Sequence, residues 1–466
     1  MESGSEITDE GLSGEVSAVI QVHQVQMLRT LEHFFPGSEV VKTGEEPLPG
    51  EERLPYRRNY RIQEEEGGLD LTITWFNARY LFKPGVPRAF LPGERKLVET
   101  ILRVLDLRFR TMYGVAMPER ARILPFAPED QIVMEYLSPP APSRVPAALE
   151  VLRAFALSTY ENREVSSGVV LLGTDQDPTA PDRVKVDGEL PYNIRLTLLK
   201  GIYPMCDGLH TAFLVDKKGD VCWPIDIHQW AEKVQGHAPP PYTCPRNFYS
   251  HAQATRSGRH TCMVLVPTHE IKVFSEGAWV FSFTNARWRL LEISAKFAIW
   301  NKSTGSTSPP DLAARLFQAA LNLADDRRGA LIVVLRDPES SLPDLVDPGD
   351  RMDHLNQFQE PENPMARPVK QMLHLLMQGR TINDIDDRVL ESIAAVDGAL
   401  VTDFAGRLLT FGAILRTPPQ ATSVTQNVEG ARSTTARVVS HYGPVLKVSE
   451  DGFVSMFLDG ARLWDI

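Results

Sequence analysis

Cysteine is scarce in this chain of 466 residues: there are four, and no two of them have the Cys-x-x-Cys spacing of a structural zinc site. So few thiols make no disulfide framework and fit a reducing compartment. Long apolar runs are also missing. The longest stretches, such as Ala330 to Leu335, fall far short of the ~20 residues that span a bilayer. The opening MESGSEITDEGLSGE is acidic and polar, the opposite of a secretory leader's basic and apolar start. These absences together predict a cytoplasmic protein without a membrane partner. Positive charge is in deficit, with 49 Lys and Arg against 60 Asp and Glu, a net charge of -11. That argues against broad attraction to nucleic acid or anionic lipid, but it leaves room for a local basic site taking a small phosphorylated ligand. What is present is ordinary globular composition, 43% hydrophobic and 23% charged, in a chain long enough for about two to four domains.

The predicted fold class is multidomain, α+β and α/β, in four parts: a disordered tail over 1–15, an N-terminal α+β section over 16–137, a β-rich domain over 143–302 and a mixed-sheet α/β domain over 309–466. Two linkers mark the joints, Ser138-Pro139-Pro140-Ala141-Pro142 and the Ser/Thr-rich run Ser303 to Pro310. In the first section Val16 to Phe35 fits a helical stripe loosely, Thr43 to Gly68 reads as loop, Leu69 to Trp75 alternates as a half-buried strand, and Glu94 to Met112 forms a helix. The middle section predicts a hairpin from Thr211–Val215 and Val221–Ile227, then a meander over Cys262–Val266, Ile271–Phe274 and Trp279–Phe283. Asn285 is expected to cap a helix running to Trp300. The last section predicts a helix over Asp311–Asp326, a strand over Ala330–Leu335, and helices at Arg367–Gln378 and Arg388–Ala394. Strands Ala399–Thr402 and Leu408–Ile414, a helix from Gly430 to His441, and strands Val445–Val448 and Phe453–Phe457 complete it.

Two segments of the last section have the makings of a site. Asp397-Gly398-Ala399 puts a carboxylate at a strand start, where it can hold a divalent metal or orient a hydroxyl. The glycine after it lets backbone approach a nucleotide. An isolated Asp-Gly pair is more often a strand-initiating turn. In Gly430-Ala431-Arg432-Ser433-Thr434-Thr435-Ala436, free N–H groups, a guanidinium and hydroxyls converge at a helix start, which suits phosphate oxygens. The plain alternative is a Ser/Thr-rich helix N-terminus.

The texts DGALVTDF, EGARSTTARVVS and VSEDGFVS, in that order, resemble the diadenylate cyclase domain, whose pattern is Asp-Gly-Ala, then Gly-Thr-Arg-His-Arg-Ala-Ala, then Val-Ser-Glu-Glu-Thr-Gly. The upstream LAARLFQAALNLADDRRGALIVVL is similar to the family's entry into its fold, and the likeness covers about a third of the chain. The resemblance implies two such domains face to face, each holding one ATP with Mg²⁺ or Mn²⁺, and formation of cyclic di-AMP with loss of pyrophosphate. It implies a catalytic and metal-binding Asp397 and a catalytic Arg432. It further implies nucleotide contacts at Gly398, Ala399, Gly412, Ala413, Ile414, Leu415, Gly430, Ala431, Ser433, Thr434 and Glu450, and a homo-oligomer formed through this domain. The departure is at Ser433-Thr434, where the family has His-Arg: a hydroxyl donates a hydrogen bond but carries no charge. The alternatives are therefore a nucleotide-binding signalling module without turnover, or a scaffold.

Histidines and cysteines crowd the middle section, among them Cys206, His210, Cys222, His228, His237, Cys244, His251, His260, Cys262 and His269. Their spacing favours structural roles over zinc ligation. CDGLHTAFLVDKKGDV with HEIKVFSEGAWVFSF is similar to the sensor-type domains that precede divergent cyclase domains, which implies a sensor coupled to the last domain.

Overall fold

The computed structural model describes residues 9–45, 58–65, 67–114, 126–137, 144–173, 190–235, 242–305, 311–352, 369–416 and 430–466. The architecture is multidomain α+β, mixing helices with several sheets. The chain divides into two compact units, Met1–Ala238 with His251–Leu290, and Pro239–Ser250 with Leu291–Ile466.

The first unit holds two larger sheets. Strands β1 (Glu39–Glu45), β2 (Tyr60–Glu64), β3 (Leu71–Trp75) and β4 (Ala78–Lys83) form an antiparallel sheet in the order β1-β4-β3-β2. After the short ribbon of β5 (Thr159–Tyr160) and β6 (Arg163–Glu164) come β7 (Ser167–Leu171), β8 (Thr211–Val215), β9 (Val221–Asp226), β10 (Thr261–Leu265), β11 (Ile271–Ser275), β12 (Ala278–Thr284) and β13 (Arg287–Leu290). They form a seven-stranded sheet in the order β13-β12-β11-β10-β7-β8-β9, in which β7 and β8 run parallel. One buried cluster runs from Met27, Ile73 and the Ile101 of helix Pro92–Gly114 through to Met263 and Trp288, so the two sheets share a core.

Asp130 is a polar tie inside that unit. It accepts two hydrogen bonds from the Arg153 guanidinium (2.6 and 2.7 Å) and one from Trp288 Nε1 (2.9 Å), so its buried charge is paired and satisfied.

Several expectations for this unit need correction. The segment Thr43–Gly68, expected as loop, contains the end of β1 and all of β2. Both are edge strands whose outer residues are charged, so the apolar alternation is masked. β3 is buried at all five positions rather than half-buried, because it lies between two strands with both faces covered. Asn285 caps no helix: Asn285 and Ala286 have φ of 50° and 60° and form the tight turn of the β12–β13 hairpin. Trp288 therefore lies on a strand, and the helix is Ile293–Ser303. The helices Pro128–Leu137 and Arg144–Ala156 carry no strong periodic signal and do not emerge from the sequence pattern. The predicted linker over Ser138–Pro142 lies outside the described residues.

The second unit is built on a six-stranded sheet in the order β16-β15-β14-β17-β18-β19. Its strands are β14 (Ala330–Leu335), β15 (Ala399–Asp403), β16 (Leu408–Ala413), β17 (Val445–Val448), β18 (Val454–Leu458) and β19 (Ala461–Asp465). β14 pairs parallel with β15, and every other pairing is antiparallel. β14 reads Ala-Leu-Ile-Val-Val-Leu and is buried throughout, as a central strand covered on both faces must be. Helix Ala431–Val439 lays Ala436 and Val439 over Leu331, Val333 and Val445. Helix Leu312–Asp325 is joined to helix Asp387–Ala394 by a buried polar chain: Gln318 Nε2 donates to Asn322 Oδ1 (2.8 Å), and Asn322 Nδ2 donates to Glu391 Oε1 (2.5 Å). Helix Pro338–Leu345 and β19 are additions to the expected elements. The β18–β19 turn is Asp459-Gly460, both at positive φ, a hairpin signal that is present in the sequence.

His251, the most deeply buried histidine of the first unit, gives stability a pH dependence. His251 Nε2 lies 2.8 Å from the Gly208 carbonyl, and burial lowers the imidazole's pKa from 6.5 to about 4. The unfolded chain therefore binds a proton that the folded chain refuses, so stability is lost as pH falls from 6.5 towards 4. The loss is on the order of 3 kcal/mol. His251→Gln keeps an N–H for Gly208 without a titrating ring and should make that slope shallower, with His23 and His33, also lowered by burial, keeping their share. Urea unfolding at a series of pH values checks this, and an unchanged slope would show that His251 is not its source.

Candidate functional site

Strand register around β14 gathers the candidate residues. Ile332 on β14 pairs with Leu400 on β15, which brings Asp397 level with Gly329 at one end of the sheet. Ala330 pairs with Val448 on the other side, which brings the turn carrying Glu450 to the same end. Helix Ala431–Val439 packs over β14 and β17 with its N-terminus there.

The Arg432 guanidinium bridges the three segments. Its Nη1 is 2.9 Å from Glu450 Oε1 and its Nη2 is 3.8 Å from Asp397 Oδ1. The Asp397 side chain is 98% exposed, so its carboxylate has open lone pairs. Two contributors escape the sequence pattern. Gly329 leaves the space that Arg432 fills: a Cβ there would collide with Nη1. Lys447, on β17, donates from Nζ to Ser433 Oγ at 2.8 Å and sets an ammonium beside that hydroxyl. A lone lysine in an apolar strand is the available signal. The four charges of Asp397, Glu450, Arg432 and Lys447 cancel.

Gly398 and Gly412 make the adjoining wall. Both have positive φ, 122° and 63°, and a Cβ on Gly398 would run into the Gly412 carbonyl carbon. The start of β15 and the end of β16 can therefore approach only without side chains. Lys370 reaches this wall from helix Val369–Met377, with its Nζ 2.8 Å from Asp350 Oδ2. Of the other expected contacts, Ala399, Ala413 and Leu415 belong to the packed core, whereas Ile414 is 74% exposed. Gly430 is the N-cap; its carbonyl accepts from Ser433 N (2.8 Å) and Thr434 N (3.2 Å), and Ala431 and Thr434 are exposed. His441 lies at the far end of that helix against Gly460, away from the cluster.

Of the Cys and His residues of the middle section, His210 and His228 are neighbours, with ring centroids 6.1 Å apart. Cys206, Cys244 and Cys262 are buried, the Cys206 Sγ donates to the Thr211 carbonyl at 2.8 Å, and burial pushes the thiols of Cys206 and Cys262 up. His210 Nδ1 is 2.8 Å from Asp207 Oδ2. Among the described residues no group of three His, Cys, Asp or Glu is disposed to hold a metal ion; His237 lies outside them. No described helix is long and apolar enough to cross a membrane.

No protein-family model and no curated protein matches the chain. Among solved structures, a hypothetical membrane spanning protein from Bacillus cereus aligns at 19% identity over 36% of this chain and 71% of its own, with a TM-score of 0.25. A double mutant of DacA from Staphylococcus aureus aligns at 21% identity over 33% of this chain and 87% of its own, with a TM-score of 0.19. Likenesses this low carry no argument about this chain.

The two glycine contacts separate by substitution. Gly329→Ala meets only the ends of two flexible side chains, Arg432 and Glu450, so it should part them at a cost below about 1 kcal/mol. Gly398→Ala meets backbone at a left-handed φ and should cost about 3 kcal/mol or more. Urea-unfolding midpoints measure both, and equal losses would contradict this geometry.

Proposed function

We propose that the second unit binds ATP at the Asp397–Arg432–Glu450 cluster and joins two nucleotides into cyclic di-AMP. The observation that carries this reading is the meeting of Asp397, Arg432 and Glu450, distant in sequence, beside the closely packed backbone of Gly398 and Gly412. In the reaction the 3'-hydroxyl of one nucleotide forms a bond to the α-phosphorus of the other. The bond from that phosphorus to the oxygen bridging it to the β-phosphate breaks, pyrophosphate leaves, and the hydroxyl proton passes to solvent. Each ring closure needs two nucleotides in opposed contact, so the reading includes self-association of this unit.

Residues of the chain have distinct tasks in that step. Arg432 and Lys447 bind phosphate oxygens, and backbone N–H groups at the start of helix Ala431–Val439 add hydrogen bonds. Asp397 orients the attacking hydroxyl. A divalent cation, Mg²⁺ or Mn²⁺, would be held by the exposed Asp397 carboxylate and would supply charge neutralisation on the phosphates. One or two carboxylates with water and phosphate completing the shell is the usual protein share for Mg²⁺. Positioning and charge stabilisation account for most catalysis in phosphoryl chemistry of this kind.

A second reading, nucleotide binding without turnover, rests on the cancelling charges and on Thr434 standing where the family has an arginine. Incubation of the purified protein with ATP and Mn²⁺, read by mass spectrometry, tests the first. Cyclic di-AMP is expected, with specific activity rising with protein concentration until the oligomer is full. Asp397→Asn should abolish product and leave ATP affinity within about tenfold, whereas Lys447→Ala should weaken ATP binding by roughly tenfold. ATP binding that depends on Arg432 with no product supports the second reading. Absence of ATP binding refutes both.

A further inference from the structure

In the first unit, β2 is the outer strand of its sheet, and helix Pro92–Gly114 runs beside it. Between them lies a groove of about 760 Å³. We propose that this groove binds a small organic phosphate. Four cations line it, Arg58, Arg61, Arg95 and Lys96, against two carboxylates, Glu64 and Glu99. The excess of two positive charges is a local concentration in a chain whose net charge is -11. Its volume suits a metabolite-sized ligand. The acidic balance of the whole chain disfavours a nucleic acid strand.

Two of the cations, Arg95 and Arg58, are held by pairs that a phosphate can displace, while Lys96 Nζ lies 4.2 Å over the Tyr136 ring. Arg95 Nη2 pairs with Glu64 Oε1 at 2.7 Å and Arg58 Nη2 with Glu99 Oε1 at 3.9 Å, and both pairs are open to water. Exposed pairs of this kind contribute little to stability, so exchanging a carboxylate for a phosphate costs little. The Arg95 Nε–H is buried without an acceptor, which leaves part of that guanidinium unsatisfied. Arg58 lies 4.1 Å over the Tyr60 ring, which fixes its position at the groove. Ile62, half-buried, is the apolar side chain that faces the groove, with Tyr60 and Leu71 buried behind it.

The test is isothermal titration calorimetry on the full chain carrying Arg432→Ala, which removes the phosphate-binding arginine of the second unit. The probes are glucose 6-phosphate, glucose and inorganic phosphate. Saturable binding of glucose 6-phosphate is expected, tighter than that of inorganic phosphate and weakened by salt. Arg95→Gln should weaken it at least about tenfold. Glu64→Gln removes the competing carboxylate and should tighten it about threefold. If Arg95→Gln fails to fold, as judged by thermal unfolding, the exposed Arg58→Gln takes its place with the same expected direction. No saturation by about 10 mM, equal affinity for inorganic phosphate, or indifference to both substitutions overturns the proposal.

Discussion

Burial of β14 on both faces, with parallel pairing to β15 and antiparallel pairing to β17, sets three chain segments level at one end of the second unit's sheet. Asp397, Gly329 and Glu450 reach that end by register, and the helix packed over β14 and β17 delivers Arg432 to them. A slip of one residue would exchange the β14 side chains between two packed faces and carry Gly329 away from Arg432, so the fit of the core and the geometry of the polar cluster depend on the same register.

Charge then determines what the cluster can do. Arg432 is shared between two carboxylates, and Lys447 is the second cation of the four charged groups placed there. In the proposed function a triphosphate would have to compete with Asp397 and Glu450 for the guanidinium, or bring cations that the carboxylates can hold. This is why a metal-dependent reading and a binding-only reading grow from the same geometry. They differ in whether Asp397 faces a metal and a hydroxyl or merely a bound anion.

In the first unit the polar ties are of two kinds. Asp130 is buried and fully hydrogen-bonded, which fixes a single arrangement of Arg153 and Trp288. The pairs lining the groove beside β2 are exposed and exchangeable. The same residue types thus serve packing in one place and ligand exchange in the other, and burial makes the difference.

Elements with local signals are legible in the chain before it folds. The apolar run of β14, the hairpin of β8 and β9, the meander of β10 to β12 and the helix start at Gly430 are all written in neighbouring residues. Asp397 and Arg432 stand out as candidates for the same reason: an acid before a glycine at a strand start and a guanidinium at a helix start have local physical meanings. Other features came from contacts between distant segments. Asn285 suits a helix cap and a left-handed hairpin turn equally, and pairing of β12 with β13 selected the turn. The charged edges of β1 and β2 hid strands that neighbours stabilise. Gly329 and Lys447 gained their roles solely from what folding placed beside them, since the value of an empty Cβ position or an ammonium depends on the group it meets.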